Sequence, residues 1–525
     1  MVEKMFTKED LAQIEEHGLS EAEINRQMSL FKMSTPYLNL LGPAFPGDGI
    51  RVFDDEQKKK FMGIYGGESP RRECLKFVPA SGAASRMFKV LLSAMNRNRP
   101  VTTDSVSKEA DKGDKDAIQL LDFMKRIRDF AFFPDLKACL KMKGLDGETL
   151  TEQGSFTELI KCLLTDDGLD YANLPKGLLK FHRYPEGSRT AFEEHLVEAA
   201  AYVRKKDSIC PLHFTVSPEH RDKFRNCLED TRKTYEEKFQ ASFDVAFSIQ
   251  KNATDTVAVD LDNRPFRQEN GTLLFRPGGH GSLLRNLNDL KGEIIFIKNI
   301  DNVVPDRLKP ETFEWKKIMG GYLLFLQSRI FDFLKEFDSG EVVPGLFERA
   351  ESFLEEELML PVPASITKGS SDDRRASLIK RLDRPVRVCG MVKNAGEPGG
   401  GPFRVRDDDG EKSFQIVETA QIDPDSTQQQ AMLAASTHFN PVDLVCGVRD
   451  WQGKPFDLKE FVNPNTFFVS EKSKDGRDLK ALEHPGLWNG SMAGWITVFV
   501  EVPAITFNPV KTVNDLLRKE HQPLD

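Results

Sequence analysis

Arg276-Pro277-Gly278-Gly279-His280-Gly281, followed by the run Glu293-Ile294-Ile295-Phe296-Ile297-Lys298 that closes on Asn299-Ile300-Asp301-Asn302, is the stretch on which the fold turns. Residues without a Cβ let a backbone press against a flat or anionic ligand. The apolar run reads as a buried strand, and it delivers a carboxylate at the C-terminal edge, where open α/β sheets keep their ligands. Glycine loop and carboxylate together point to a nucleotide beside a metal ion.

Working outward, the same strand-then-helix pattern recurs. Leu75 to Ala80 reads as a short buried strand, and Phe88, Leu91, Leu92 and Met95 follow at helical spacing across the small-residue turn Ser81-Gly82-Ala83-Ala84-Ser85. Pro211 to Val216 reads as another strand, with Ser217 as helix cap and Pro218 at the first helical position. This alternation predicts an α/β protein with a mainly parallel, mixed central sheet flanked by helices. Leu11, Ile14, Leu19, Ile24, Met28 and Phe31 mark an amphipathic N-terminal helical region over 1–74, and 75–360 reads as a nucleotide-binding core. That core carries a helical insertion at about 97–170, loop-like from 97 to 117 and helical from Ala117 to about Leu164. Pro361, Pro363, Gly369, Ser370 and Ser371 mark 361–385 as a linker. Strands at Val386–Met391, Gln415–Glu418, Val442–Gly447 and Trp495–Val502 make the C-terminal part β-rich, with 386–470 continuing the core and 471–525 as a C-terminal region.

Composition narrows the function classes. Of 525 residues 39% are apolar and 30% charged, with a net charge of -9, so no basic field favours nucleic acid. The seven cysteines form no C-x-x-C pair and no zinc spacing, which predicts reduced thiols in the cytoplasm. No apolar run approaches the roughly 18 residues of a membrane span; the expectation is no membrane association.

Four places could carry chemistry, and each has a plain structural alternative. The turn ending in Arg86-Met87 is a possible phosphate cradle or simply a tight turn. The 277–281 loop is a nucleotide contact or a turn before a helix, with His280 a turn histidine. Asp301 sits where a metal-binding carboxylate belongs, yet Asn-x-Asp-Asn is also ordinary turn chemistry. The glycine-rich stretch Gly396 to Phe403 could close over a substrate or be a surface loop.

The order of these pieces resembles the nucleotide-sugar pyrophosphorylases, the UDP-sugar and UDP-N-acetylhexosamine uridylyltransferases, and more narrowly a bacterial branch beside them. Their first strand leads into L-x-G-G-x-G-T-R-(L/M); here Val78 to Met87 keeps the arginine and its apolar neighbour, with Ser81 and Ala84 in place of two glycines. Their Pro-Lys-Gly is matched by Pro175-Lys176-Gly177 beyond the helical insertion. Phe214 to His220 resembles the family's strand ending in Thr/Ser-x-x-His, Phe247 to Gln250 its F-x-x-Q, and Asn299 to Asn302 its N-x-D-N. Asn270 to Leu273 and the glycine loop resemble the base-recognition loop, Ile416 to Glu418 the sugar-contacting V-E, His438 to Asn440 its F-N, and Phe507 to Leu517 its late F-x-P-V-K-x-x-x-D-L-L.

The resemblance implies a nucleotide-diphospho-sugar transferase fold, GT-A-like and Rossmann-like, and an enzyme joining a nucleoside triphosphate, first of all UTP, to a sugar-1-phosphate. Arg86, Lys176 and Lys511 would be catalytic. Ala80, Ser81, Gly82, Gln250, Pro277, Gly278, Gly279, His280 and Gly281 would hold the nucleotide. Asn299, Glu418 and Asn440 would hold the sugar, and Asp301 a magnesium ion. A glycosyltransferase on the same fold and a non-catalytic nucleotide or nucleotide-sugar binding protein are the other readings; for the first, the acidic run Asp407-Asp408-Asp409 reads instead as a solvated turn. The remaining default is a scaffold role.

Overall fold

The computed structural model describes residues 5–33, 36–82, 84–97, 99–340, 343–396 and 399–523. Within them the chain is an α/β protein with a central sheet, mostly parallel and flanked by helices. It divides into two compact units, the first of Met1–Leu75, Ser248–Ile297 and Lys317–Pro503, the second of Lys76–Phe247, Lys298–Lys316 and Ala504–Asp525.

In the first unit, the strands Gly49–Arg51, Ile496–Glu501 and Val386–Lys393 run parallel in that order, and Asp443–Gly447 joins Val386–Lys393 antiparallel. Val386–Lys393 is buried along all but its last residue, as expected of a strand covered on both faces. The N-terminal amphipathic region forms the helices Lys8–Glu16 and Glu21–Leu30, started by Thr7 and Ser20 caps. Their apolar stripe (Ile14, Ile24, Met28) packs on Val257, Leu273 and Leu482. The stretch expected as a linker contains the helix Ser371–Leu382, capped by Ser370 and held by buried Leu378 and Leu382. Its flanks both lie in the first unit. The prolines and serines that read as a linker signal mark the start of this helix.

In the second unit, Lys76–Pro79 of the strand Cys74–Pro79 pairs in parallel with Ile209–Val216, from Lys76 opposite Leu212 to Pro79 opposite Thr215. Ile209–Val216 leads through the 3-10 turn Pro218–His220 into the helix Arg221–Phe239. Ser217 occupies the cap position but makes no capping hydrogen bond. The helix Ala191–Tyr202 is buried nearly all round and opens on a Thr190/Glu193 capping box. It carries Glu198, fully buried, whose carboxylate meets Lys76 Nζ and Lys298 Nζ at 2.7 Å each. The helical insertion holds five α-helices and the 3-10 turn Ile127–Asp129 between Thr103 and Leu164. Residues 97–117, expected as a loop, already contain the helix Thr103–Ala110, with Val106 buried, and the start of Lys115–Lys125. Caps at Thr102 and Asp114 begin both; the charge that read as loop is the solvated face of short amphipathic helices.

Candidate functional site

The chemistry gathers in the second unit around Asp301, just beyond the strand Ile294–Lys298. One carboxylate oxygen, Oδ2, receives two ammonium groups: Lys176 Nζ at 2.9 Å and Lys511 Nζ at 3.1 Å. Lys176 Nζ also donates to the Val510 carbonyl at 2.7 Å. The backbone reinforces the junction, since Val510 N–H donates to the Asp301 carbonyl (3.2 Å) and Asn508 N–H to Asn302 Oδ1 (2.9 Å). Asp301 is 6% exposed. Burial works to raise its carboxyl, but the two lysine charges outweigh burial and hold it below the ordinary carboxylate value.

The other oxygen, Asp301 Oδ1, is buried and has no hydrogen-bond partner. A buried acceptor left open costs roughly 1–3 kcal/mol, and this one is free to accept from a water, a donor group or a cation. Three more such atoms lie at the C-terminal end of the strand Ile209–Val216 or just beyond it, in the same unit: Thr215 Oγ1, Ser217 Oγ and His220 Nδ1. The Thr215 carbonyl meanwhile accepts Ala80 N–H at 2.8 Å, which fixes the start of the phosphate-loop candidate. Thr215, Ser217 and His220 were not among the expected site residues. Their signal was present as polar residues at the C-terminal end of a parallel strand.

Arg86 belongs to the 3-10 turn Ala84–Arg86 and its side chain is exposed and unpaired among the described residues. Its loop is tied to the lysine segment, because Ala84 N–H donates to the Leu174 carbonyl (3.1 Å) and Lys176 N–H to the Gly82 carbonyl (3.4 Å). Ala80 is buried, Ser81 half-buried and Gly82 exposed, with open space where a Cβ would stand on Gly82. Ala83 lies outside the described residues. Asn299, half-buried, precedes Asp301 in the second unit and its carbonyl accepts Asn302 N–H at 3.2 Å.

The remaining expected residues lie in the first unit. Gly278 and Gly281 are buried because their own chain needs the room: a Cβ on Gly278 would stand 2.4 Å from the His484 ring, and one on Gly281 2.1 Å from the Pro485 carbonyl. Gly279 takes φ +76°, a conformation other residues rarely adopt. Pro277 is exposed. The His280 ring stacks on Trp488 with centroids 4.3 Å apart, accepts Leu487 N–H at Nδ1 (3.0 Å) and places Nε2 3.4 Å from Glu418 Oε1. Gln250 Nε2 donates to Asp255 at 3.4 Å. Asn440 spends its side chain internally, donating to the Gly390 carbonyl and accepting Val442 N–H. The glycine-rich stretch includes residues 397 and 398, which lie outside the described residues. Asp407, Asp408 and Asp409 form an exposed turn at the rim of a first-unit cleft of about 820 Å³.

Among the described residues no group of three or more His, Cys, Asp or Glu side chains is placed to hold a metal, and no helix is long and apolar enough to cross a membrane. Magnesium is commonly held by one or two carboxylates with the rest of its shell from phosphate and water. Asp301 Oδ1, an open carboxylate oxygen, has the chemistry of one such ligand.

A family model described as Domain of unknown function (DUF4301) matches residues 7–522. None of the curated proteins matches the chain. Among solved structures, the chain is similar to a mutant of UDP-glucose pyrophosphorylase from Leishmania major, at 12% identity and a TM-score of 0.44 over 97% of this chain and 77% of that one. It is also similar to the uridine diphosphate N-acetylglucosamine pyrophosphorylase from Trypanosoma brucei in complex with inhibitor (12% identity, TM-score 0.46, 94% and 74% covered). A UDP-glucose phosphorylase from Trypanosoma brucei gives 13% identity and a TM-score of 0.43 over 98% and 80%.

Proposed function

We propose that this chain, which belongs to the DUF4301 family, is a sugar-1-phosphate nucleotidyltransferase whose second unit binds the phosphates of a nucleoside triphosphate, with UTP the first candidate. The observation that carries the reading is the arrival of Lys176 and Lys511 on one oxygen of Asp301 while the other oxygen stays open. The order of motifs from Val78 to Leu517 supports it.

In the reaction, an oxygen of the sugar-1-phosphate attacks the α-phosphorus in line and pyrophosphate leaves. Such a transfer needs no covalent nucleophile; it needs the two phosphates held in register and the growing negative charge neutralised. Lys176 is the better anchored cation, pinned by the Val510 carbonyl, and suits a fixed contact to the α-phosphate. Lys511 has a side chain 57% exposed and leaves Asp301 for the sugar phosphate at smaller desolvation cost. Arg86, exposed beside the same loop, would clamp the leaving phosphates. A bound magnesium ion would be held by Asp301 Oδ1 and would offset phosphate charge.

The test is a pyrophosphate-release assay on the full chain with magnesium, each of the common nucleoside triphosphates and a panel of sugar-1-phosphates. Release with one triphosphate and one sugar-1-phosphate, abolished when either is omitted, is the expected outcome. Nucleotide binding without release across the panel would point to a non-catalytic binder. The absence of both binding and release would sink the proposal.

A further inference from the structure

Two of the seven cysteines face each other. Cys139 is carried by the helix Phe133–Met142 and Cys162 by the helix Thr157–Leu164, and their Sγ atoms stand 2.8 Å apart. Both are buried, Cys139 at 6% exposure and Cys162 at 2%. The Cys162 thiol donates to the Cys139 sulfur, and the Lys143–Asp167 ion pair lies close enough to act on Cys162 electrostatically.

The backbone holds this arrangement. Beyond Leu164 the chain folds back on the helix end: Leu169 N–H donates to the Cys162 carbonyl (2.7 Å), Tyr171 N–H to Leu163 (3.0 Å) and Ala172 N–H to Leu164 (3.2 Å). Gly168 makes the return possible, since a Cβ there would lie 1.9 Å from the Cys162 carbonyl oxygen. Cys162 is therefore pinned at its own turn of helix, with its sulfur against Cys139.

We infer that Cys139 and Cys162 are a redox modification site, closing to a reversible disulfide in the presence of a small peroxide. The Cys139 sulfur, the more exposed of the two, attacks one peroxide oxygen: an S–O bond forms, the O–O bond breaks, and the thiol proton leaves with the departing oxygen as water. The Cys162 sulfur then attacks the Cys139 sulfenic acid; the S–S bond forms, the S–O bond breaks, and hydroxide leaves with the Cys162 proton as a second water. Two electrons pass from the thiol pair to hydrogen peroxide. Burial, with the hydrogen bond to Cys139, pushes the Cys162 thiol up to about 12, which leaves the more exposed Cys139 to meet the oxidant first.

The experiment is peroxide treatment of the folded full chain, quenching, denaturation and alkylation, then peptide mapping by mass spectrometry. Expected is one linked pair of peptides containing Cys139 and Cys162, two hydrogens lighter than their sum, with the other five cysteines alkylated and all seven recovered after dithiothreitol. In Cys162→Ser the link is lost and Cys139 proceeds to sulfinic acid that dithiothreitol does not reverse. Seven alkylated cysteines after peroxide, over-oxidised Cys139 without the linked pair, or a link between other cysteines would each overturn the inference; the wild-type map decides even where the variant does not fold.

Discussion

Asp301 carries two ammonium groups on one oxygen and none on the other, and that asymmetry makes it testable residue by residue. Lys511 is mostly exposed and Lys176 stays on Asp301 when it is removed, so Lys511→Ala should cost no more than about 1 kcal/mol of stability while cutting pyrophosphate release roughly 10²–10³-fold, the cost of removing one preorganised charge at a developing anion. Urea denaturation and turnover measured together decide it; unchanged turnover would remove Lys511 from the site. The carboxyl also sets a pH limb. Its folded value lies below its unfolded one, so its contribution to stability is complete above about pH 4 and disappears as pH falls through the folded value. Asp301→Asn should flatten that limb, and an acid denaturation profile identical to wild type would contradict the pairing. The sequence showed Asp301 and both lysines as candidates, but not that one oxygen serves both, because the partners lie 125 and 210 residues away. Asn440 was legible as a polar residue at a strand and illegible as an internal staple, since nothing local announces that its amide closes on Gly390 and Val442.

At the scale of elements, the parallel strands were the easiest part to read, because burial on both faces leaves uninterrupted apolar runs such as Ile294 to Ile297. The lysines inside or beside those runs were not. Lys76 and Lys298 are buried on Glu198, a residue of the helix Ala191–Tyr202 whose sequence gives no sign of the pairing. Removing that carboxylate leaves two buried ammonium groups without their shared partner, and Glu198→Ala should cost about 3–5 kcal/mol in urea denaturation; a loss below 1 kcal/mol would show the cluster to be solvated. The glycine loop makes a second element-scale case. Gly281 has the Pro485 carbonyl where a Cβ would go, so Gly281→Ala should destabilise by about 1–3 kcal/mol through forced backbone shifts. A melting midpoint equal to wild type, with nucleotide affinity alone reduced, would instead give that glycine to the ligand.

At the scale of the whole molecule, the candidate site draws on lengths of chain far apart in sequence. The second unit is assembled from three separated lengths of chain, and its last length, Ala504–Asp525, supplies contacts that the first two lack. Lys511 Nζ and the Val510 carbonyl complete the Asp301 and Lys176 contacts. Asn508 closes on Asn302, and His521, buried, sets its ring nitrogen 2.9 Å from His182, itself bonded to Glu194. Glu194 in turn holds Lys309, so the same terminal length reaches the charged interior of its unit as well as the candidate site. Ending the chain after Pro503 should therefore do more than abolish turnover. It would strip His182 and Asn302 of buried partners at once, and the second unit should lose its protection in hydrogen exchange over the strands Cys74–Pro79 and Ile209–Val216. Lys511→Ala, which removes the charge but keeps the segment, should preserve that protection. If the truncated chain kept wild-type exchange rates in both strands, the terminal segment would be an appendage carrying one lysine, and its part in building the unit would be refuted.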